Sequence, residues 1–333
     1  MTRKSKMEGR FTQAVFLFAL GACLIVFGAS ACSHATALEE QAELELVFQS
    51  GFEGCFGYPE EAHRKVTGAD PSFTEKNDWQ ADLEGHRAIY GFFIFYEGGD
   101  ASQRYARLIP EPGNPTNTVL HGWLNEAYIP YGTGQLKGRI QATIDGTGLR
   151  EVYFKQRIYL PSDMEVLVEA PATFRWLTVQ EFWNNPPAEP YPFRISINIV
   201  KPNATTDGIY FRVNGQVKIP DQQEGWEDIW STMDDTFPIP VGEWMTLETR
   251  FREGDAESGY FQVIVTDASG NSHEVADVHD FTHHPDDPSP DGLSNFNPMK
   301  LYTSERLINA MRDAGRTLQL YWDDIEFRLR TDP

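Results

Sequence analysis

The chain has 333 residues, 41% of them hydrophobic and 13% aromatic, enough for one large β domain or two small ones. Its net charge of −21 excludes nucleic-acid binding, which needs a basic surface against the phosphates. The same charge works against long-range attraction of an acidic polymer, so an acidic ligand requires a local basic groove.

The N-terminus reads as a targeting segment. Arg3, Lys4, Lys6 and Arg10 form a basic start, residues 11–29 are almost wholly apolar, and Ala29, Ser30 and Ala31 supply the small residues of a cleavage site. This predicts an export signal over 1–32, either cut after Ala31 or processed as a lipoprotein signal at Cys23 or Cys32. An uncleaved anchor is the third reading, because the apolar run approaches the ~20 residues of a spanning helix. The expected location is the outer membrane or cell surface as a lipoprotein, or the periplasm or exterior, with membrane contact only through an N-terminal lipid or anchor. Those four cations and Glu8 leave with the segment, so the remainder carries −24. Residues 33–45 form a polar, Ala/Glu-rich tether. Only Cys55 lies in the remaining domain, 46–330, which excludes a fold built on disulfides.

Structure is expected to start near Leu46, with a first strand over 46–54. Residues 66–82 are polar and turn-rich. Residues 89–96, IYGFFIFY, form a strongly apolar strand, and strands near 104–109 and 118–124 flank a proline turn. Residues 138–144 place Arg139, Gln141 and Thr143 on one face and Ile140, Ala142 and Ile144 on the other, a period of two. Residues 151–160 repeat the scheme, with Tyr153, Lys155, Arg157 and Tyr159 opposite Val152, Phe154 and Ile158. This is the most basic stretch of an acidic chain. Cations interleaved with tyrosines suit a surface that neutralises a carboxylate; the plainer reading is pairing with the abundant surface acids.

Residues 173–200 read as two strands joined by a proline-rich turn. Arg194, Ser196 and Asn198 alternate with Phe193, Ile195, Ile197 and Ile199, while Glu181 and Trp183 lie opposite Phe182. A sugar-binding sheet needs such a face: planar polar groups for the hydroxyls and a ring for the apolar C–H side. A solvated outer face is the alternative. A strand over 209–217 presents Tyr210 and Arg212, with Asn214-Gly215 read as a hairpin turn. Residues 226–230 and Asp234-Asp235 read as a loop, followed by strands over 245–252, 260–267 and 273–278. Residues 279–298 read as a long loop, whose His283, His284, Asp286 and Asp287 lack a recognised ligand spacing. Ser304 caps a helix over 305–314 that stops at Gly315, and 316–328 is the closing strand. One short C-terminal helix among many strands predicts an all-β protein, a two-sheet β-sandwich.

Three features resemble the concanavalin A-like jelly-roll domains of bacterial carbohydrate-active proteins. They are the opening strand ending Gly51-Phe52-Glu53, the segment 207–216, and the closing Tyr321-Trp322-Asp323-Asp324-Ile325. The resemblance implies a jelly-roll sandwich whose first and last strands pair at the domain edge. It also implies a structural calcium held by Glu53 with Asp323 or Asp324. Within that group, Tyr153-Phe154-Lys155, Tyr210-Phe211-Arg212 and Gly138-Arg139-Ile140-Gln141 are similar to segments of polysaccharide lyases of alginate-lyase and heparin-lyase type. The Gln-Ile/Val-His triplet of those enzymes has no counterpart here. The implied activity is β-elimination on a uronate-containing polysaccharide, with no cofactor required beyond that calcium. The implied catalytic groups are Tyr153 or Tyr210 as base and acid, with Arg139 and Arg157 at the carboxylate and His121 as an alternative base. Gln141, Lys155, Glu181, Trp183, Arg194, Asn198 and Arg212 are the implied substrate-binding residues. Two other readings stand beside this one. A surface glycan-binding protein needs no acid–base pair. A glycoside hydrolase needs a second carboxylate, which Glu181 does not find at +2 or +4 on its strand.

Overall fold

Alternation of apolar and polar residues sets most of the strands, because every second side chain of a strand points to the same face. The structure, a computed structural model, describes residues 44–57, 65–130, 134–169, 173–184, 190–219 and 225–330. The export signal with Cys23 and Cys32, nearly all of the tether, and the proline turn after Asn184 lie outside the described residues. The chain divides into 1–44, of which only Leu44 is described, and a second unit, Glu45–Pro333.

In chain order the second unit's strands are β1 (Glu45–Ser50), β2 (Phe56–Gly57), β3 (Val66–Thr67), β4 (Ile89–Tyr96), β5 (Arg104–Glu111) and β6 (Asn114–Leu124). Then come β7 (Ile129–Pro130), β8 (Leu136–Leu149), β9 (Glu151–Tyr159), β10 (Leu177–Asn184), β11 (Phe193–Val200) and β12 (Tyr210–Lys218). The last six are β13 (Trp226–Met233), β14 (Trp244–Arg252), β15 (Tyr260–Thr266), β16 (Ser272–Val278), β17 (Leu293–Ser304) and β18 (Leu318–Leu329). Two antiparallel sheets carry nearly all of them. The front sheet runs β13-β12-β11-β10-β17-β8-β4, with β7 on β8. The back sheet runs β16-β15-β14-β9-β18-β6-β5, with β1 on β18. This is the expected jelly-roll sandwich, and its first and last strands do pair, antiparallel, from Glu45 opposite Leu329 to Ser50 opposite Ile325.

The core lies between the sheets. Phe182 of the front sheet meets Phe296 beside it at 4.4 Å and Phe261 of the back sheet at 5.1 Å, ring centre to ring centre. Aromatic side chains of this size dominate core energetics, and each buried ring contributes several kcal/mol against truncation to alanine. At one end a single π-helical turn, Trp79–Glu84, buries Trp79 against Phe48 and Phe92, both at 4.5 Å. The Asp78 side chain caps that turn by accepting from the amides of Gln80 and Ala81. Two α-helices complete the described fold, α1 (Glu165–Glu169) and α2 (Glu305–Asp313); α2 follows Ser304 and buries Leu307, Ile308 and Met311.

The structure corrects three expectations. Asn214 and Gly215 are not a turn but lie inside β12, paired with Ser196 and Ile195. The glycine is there because Trp230 of β13 lies across it: a Cβ on Gly215 would sit 2.2 Å from the indole. Residues 226–230, read as a loop, belong to β13. The long loop after β16 ends at Leu293, where β17 begins.

Candidate functional site

β10 and β17 lie side by side at the centre of the front sheet, with Glu181 opposite Asn297 and Trp183 opposite Asn295. Both strands are bulged, β10 between Thr178 and Glu181 and β17 between Phe296 and Met299, so the outward-facing set changes parity along each strand. Three depressions follow this pair. One of about 250 Å³ includes Arg175, Trp176, Arg194, Asn198 and Tyr302. One of about 280 Å³ includes Arg139, Gln141, Trp183 and Lys300. The third, about 360 Å³, includes Tyr90, Asp145, Asn184 and Asp291. Glu181 lines the first two and Asn295 the last two, so they join into one groove. Leu293 to Tyr302 spans nine strand steps, about 30 Å, which suits an extended chain.

The middle of the groove is held by a buried ion pair. Lys300 Nζ donates to Glu181 Oε2, and Arg194 donates to Glu181 Oε1 at 3.3 Å. Burial would raise the Glu181 carboxyl, but the charges of Lys300 and Arg194 outweigh it and hold the group below its ordinary range. Burial pushes the Lys300 ammonium down to about 8 against the pull of Glu181, and neighbouring Arg139 and Arg194 add to the depression. Arg194 also donates to Gln216 at 2.7 Å, and its guanidinium lies 4.2 Å from the Trp226 ring centre.

Tyr302 sits beyond Lys300 on β17. Three cations surround its ring: Lys300 Nζ at 5.1 Å, Lys137 Nζ at 5.5 Å and the Arg139 guanidinium at 5.6 Å from the centre. Trp176 packs on it at 4.7 Å. Arg175, just before β10, is exposed and has no acidic partner among the described residues. Arg139 Nε, Gln141 Oε1 and Trp183 Nε1 are buried polar atoms with no hydrogen-bond partner among the described residues. Such atoms are rare in folded proteins; others among the described residues, such as those of Gln156, Gln180 and Trp322, do not line the groove.

The constellation expected from sequence is divided. Arg139 and Gln141 lie on β8 in the front sheet, whereas Tyr153, Lys155 and Arg157 lie on β9 in the back sheet. There, the Tyr153 hydroxyl donates to Glu248 at 2.6 Å, and Arg157 faces Asp323 at 3.2 Å, Asp324 at 3.1 Å and Glu111 at 3.7 Å. His121 is also on the back sheet, stacked on Tyr321 at 4.4 Å and bonded to Gln319 at 2.9 Å; burial pushes it down to about 4. Tyr210 is buried at the start of β12 with its hydroxyl beside Gly208, away from the groove.

The remaining expected residues do meet. Glu181, Trp183, Arg194, Asn198 and Arg212 line the groove with Gln141. Glu181, however, is 1% exposed and fully engaged, so it positions Lys300 and Arg194 instead of touching a ligand. Arg212 is neutralised by Asp228 at 2.9 Å. The expected calcium ligands are held by protein donors: Glu53 accepts from the Thr118 amide at 2.8 Å, and Asp323 from Asn117 at 2.8 Å and from Arg157. Among the described residues no group of three or more His, Cys, Asp or Glu side chains is arranged to hold a metal ion. Sequence reasoning missed Arg175, Lys300 and Tyr302.

No family model matches the chain, and no curated protein does. Among solved structures it is similar to an endo-β-1,4-glucuronan lyase from the fungus Trichoderma reesei, at 14% identity over 72% of this chain and 90% of that one, TM-score 0.43. It is similar to the alginate lyase Aly36B in complex with alginate tetrasaccharide, at 11% identity over 85% and 98% of the two chains, TM-score 0.45. It is similar also to the marine PL-14 alginate lyase from Aplysia kurodai, at 9% identity over 86% and 100%, TM-score 0.45. At these identities and scores none of them assigns chemistry to this chain.

Proposed function

We propose that this protein binds a uronate-bearing polysaccharide in the groove along β10 and β17 and cleaves it by β-elimination. The observation that supports this best is Tyr302, set among Lys137, Arg139 and Lys300 beside the unpaired Arg175. A lyase must neutralise the uronate carboxylate, remove the C5 proton and protonate the departing oxygen. Arg175 and Arg194 face the groove as carboxylate partners, and Asn198 adds an amide beside them. In this reading Tyr302 acts as its phenolate and accepts the C5 proton. The electron pair released at C5 forms the C4–C5 double bond as the C4–O bond breaks, and the proton returns from Tyr302 to the leaving oxygen. No oxidant or other reactant is consumed.

A hydrolase mechanism fits less well, since the groove's central acid, Glu181, is buried, ionised and bonded to two cations, so it has no proton to give. The proposed setting is outside the cytoplasm, a reading that rests on the composition of residues 1–32. The test is to incubate the domain with alginate, glucuronan, pectate and glycosaminoglycans and follow the ultraviolet absorbance of the unsaturated product. Product from wild type, reduced by about 10²–10⁴-fold in Tyr302→Phe, is the expected result. A flat trace, together with saturable quenching of tryptophan fluorescence by one glycan, replaces this reading with a binding protein.

A further inference from the structure

The groove does not have one charge along its length. Its first depression is lined by three arginines, Arg175, Arg194 and Arg212, against two acids, Glu181 and Asp228, and its middle by Arg139 and Lys300 against Glu181. The third depression, beyond Asn295, is lined by Asp145 and Asp291 and by no cationic side chain. Arg150 is spent on Glu253 at 3.1 Å and on the Pro290 carbonyl at 2.8 Å. A third carboxylate, Glu253, accepts from the Gly292 amide at 2.7 Å behind this end of the groove, and burial raises it above its ordinary range.

Two other features give this end the character of a binding pocket. Asn184 is 3% exposed, lines the depression, and leaves its Oδ1 without a donor among the described residues. A buried acceptor in that position is destabilising until a donor reaches it. Tyr90, at the rim, is 71% exposed, one of two large hydrophobic side chains in that state among the described residues. An aromatic ring held open to solvent beside convergent acceptors fits the apolar face and the hydroxyls of a sugar ring. A sugar bearing its own carboxylate would meet Asp145 and Asp291 with like charge.

We infer that the Tyr90 end of the groove is a second sugar subsite that takes an uncharged or amino-bearing sugar, so that the substrate is a mixed polysaccharide of uronate and non-uronate units instead of a homopolymer of uronate. This rests on the proposed binding of a uronate near Tyr302. The carboxylates of Asp145 and Asp291 accept hydrogen bonds from hydroxyl or ammonium groups, Asn184 accepts another, and Tyr90 stacks on the ring.

The experiment compares homopolyuronates (alginate, glucuronan, pectate) with polymers that alternate uronate and hexosamine, such as hyaluronan and chondroitin, by product absorbance and by titration calorimetry. The mixed polymers are expected to be cleaved and bound better. Tyr90→Ala should raise KM and Kd for the mixed polymer about three- to tenfold, while Asp145→Asn and Asp291→Asn should strengthen homopolyuronate binding about two- to fivefold. Homopolyuronates cleaved as well as mixed polymers, with all three variants unchanged, would overturn the subsite and leave the lyase reading intact. Loss of product from every polymer would overturn the lyase reading, and calorimetry on Tyr90→Ala would still decide the subsite: unchanged affinity for a bound mixed polymer refutes it, as does failure of wild type to bind any mixed polymer.

Discussion

On the back sheet, Tyr153 gives its hydroxyl to Glu248 and Arg157 is shared among Glu111, Asp323 and Asp324; on the front sheet, Tyr302 has three cations around its ring and Arg175 has no acid beside it among the described residues. Both faces are built from the same residue types. The back-sheet rings also satisfy one another: His121 stacks on Tyr321 at 4.4 Å and Tyr105 on Trp123 at 4.8 Å, with interplanar angles of 9° and 15°. Cross-strand pairs of this kind stabilise a sheet by roughly 0.2–1 kcal/mol each. A basic, tyrosine-rich strand is therefore not by itself a site. What separates the two faces is where the cations gather: on the front sheet they line one groove around Tyr302.

The sharpest way to break this comparison is to remove one hydroxyl from each face. Tyr302→Phe is expected to lower kcat by about 10²–10⁴-fold, with the melting temperature little changed. Tyr153→Phe is expected to leave kcat near wild type and cost about 1 kcal/mol of stability, since it removes one hydrogen bond to Glu248. The reverse pattern would move the chemistry to the back sheet.

The next largest effect concerns charge pairs. Lys300 and Glu181 are each 1% exposed, so Lys300→Met leaves the buried carboxylate with Arg194 alone and should cost about 3 kcal/mol in denaturant unfolding. Removing both charges in Lys300→Met/Glu181→Leu should recover much of that loss. Arg157 is 31% exposed in its side chain but faces Asp323, whose side chain is 1% exposed and keeps its bond from Asn117, so Arg157→Ala should cost about 1–3 kcal/mol. A larger cost at Arg157 than at Lys300 would show that the front pair is not the more deeply buried one.

Much of the fold was legible because it depends on alternation alone. Residues 89–96 form β4 as read, 193–200 form β11, the helix follows Ser304, and β1 meets β18. The face assignments of Glu181 and Trp183 against Phe182 also hold. The site was less legible for two physical reasons. β8 and β9 are separated by Arg150 alone, yet join opposite sheets, and no local pattern records which sheet a strand enters. The bulge in β17 between Phe296 and Met299 puts Asn297 and Lys300 on the same face although they are three residues apart, so the period of two fails where Lys300 and Tyr302 begin. The sequence pattern gives a loop up to 298 and no element for 299–303, so Lys300 and Tyr302 have no face in it. β13 escaped in a similar way, since Trp230 covers Gly215 instead of alternating cleanly. Gly215→Ala should consequently cost about 1–3 kcal/mol and shift tryptophan fluorescence.

The smallest expected effect separates the two faces by pH. On the back sheet, burial holds His121 down to about 4, below its ordinary 6.5, so the unfolded chain binds a proton there that the folded chain does not. Stability from this group is complete above pH 6.5 and is lost as pH falls from 6.5 towards 4. On the front sheet, Glu181 is held below its ordinary 4.5, so its contribution is present above 4.5 and is lost only as pH falls through the depressed value. Burial raises Asp323 to about 7, so that group gains stability as pH falls from 7 towards 3.8 and opposes the His121 loss; the histidine's share is therefore read from the variant, and the front sheet's carboxylate comes last. Melting temperatures measured between pH 7 and 3 resolve the two windows. His121→Gln should flatten the slope between 6.5 and 4 and leave the lower limb in place. Glu181→Gln should flatten the lower limb after an initial loss of stability, because Lys300 is then buried without its partner. A single slope unaffected by either variant would mean that neither group titrates as its surroundings require, and that the burial separating the two faces is not what sets their charge.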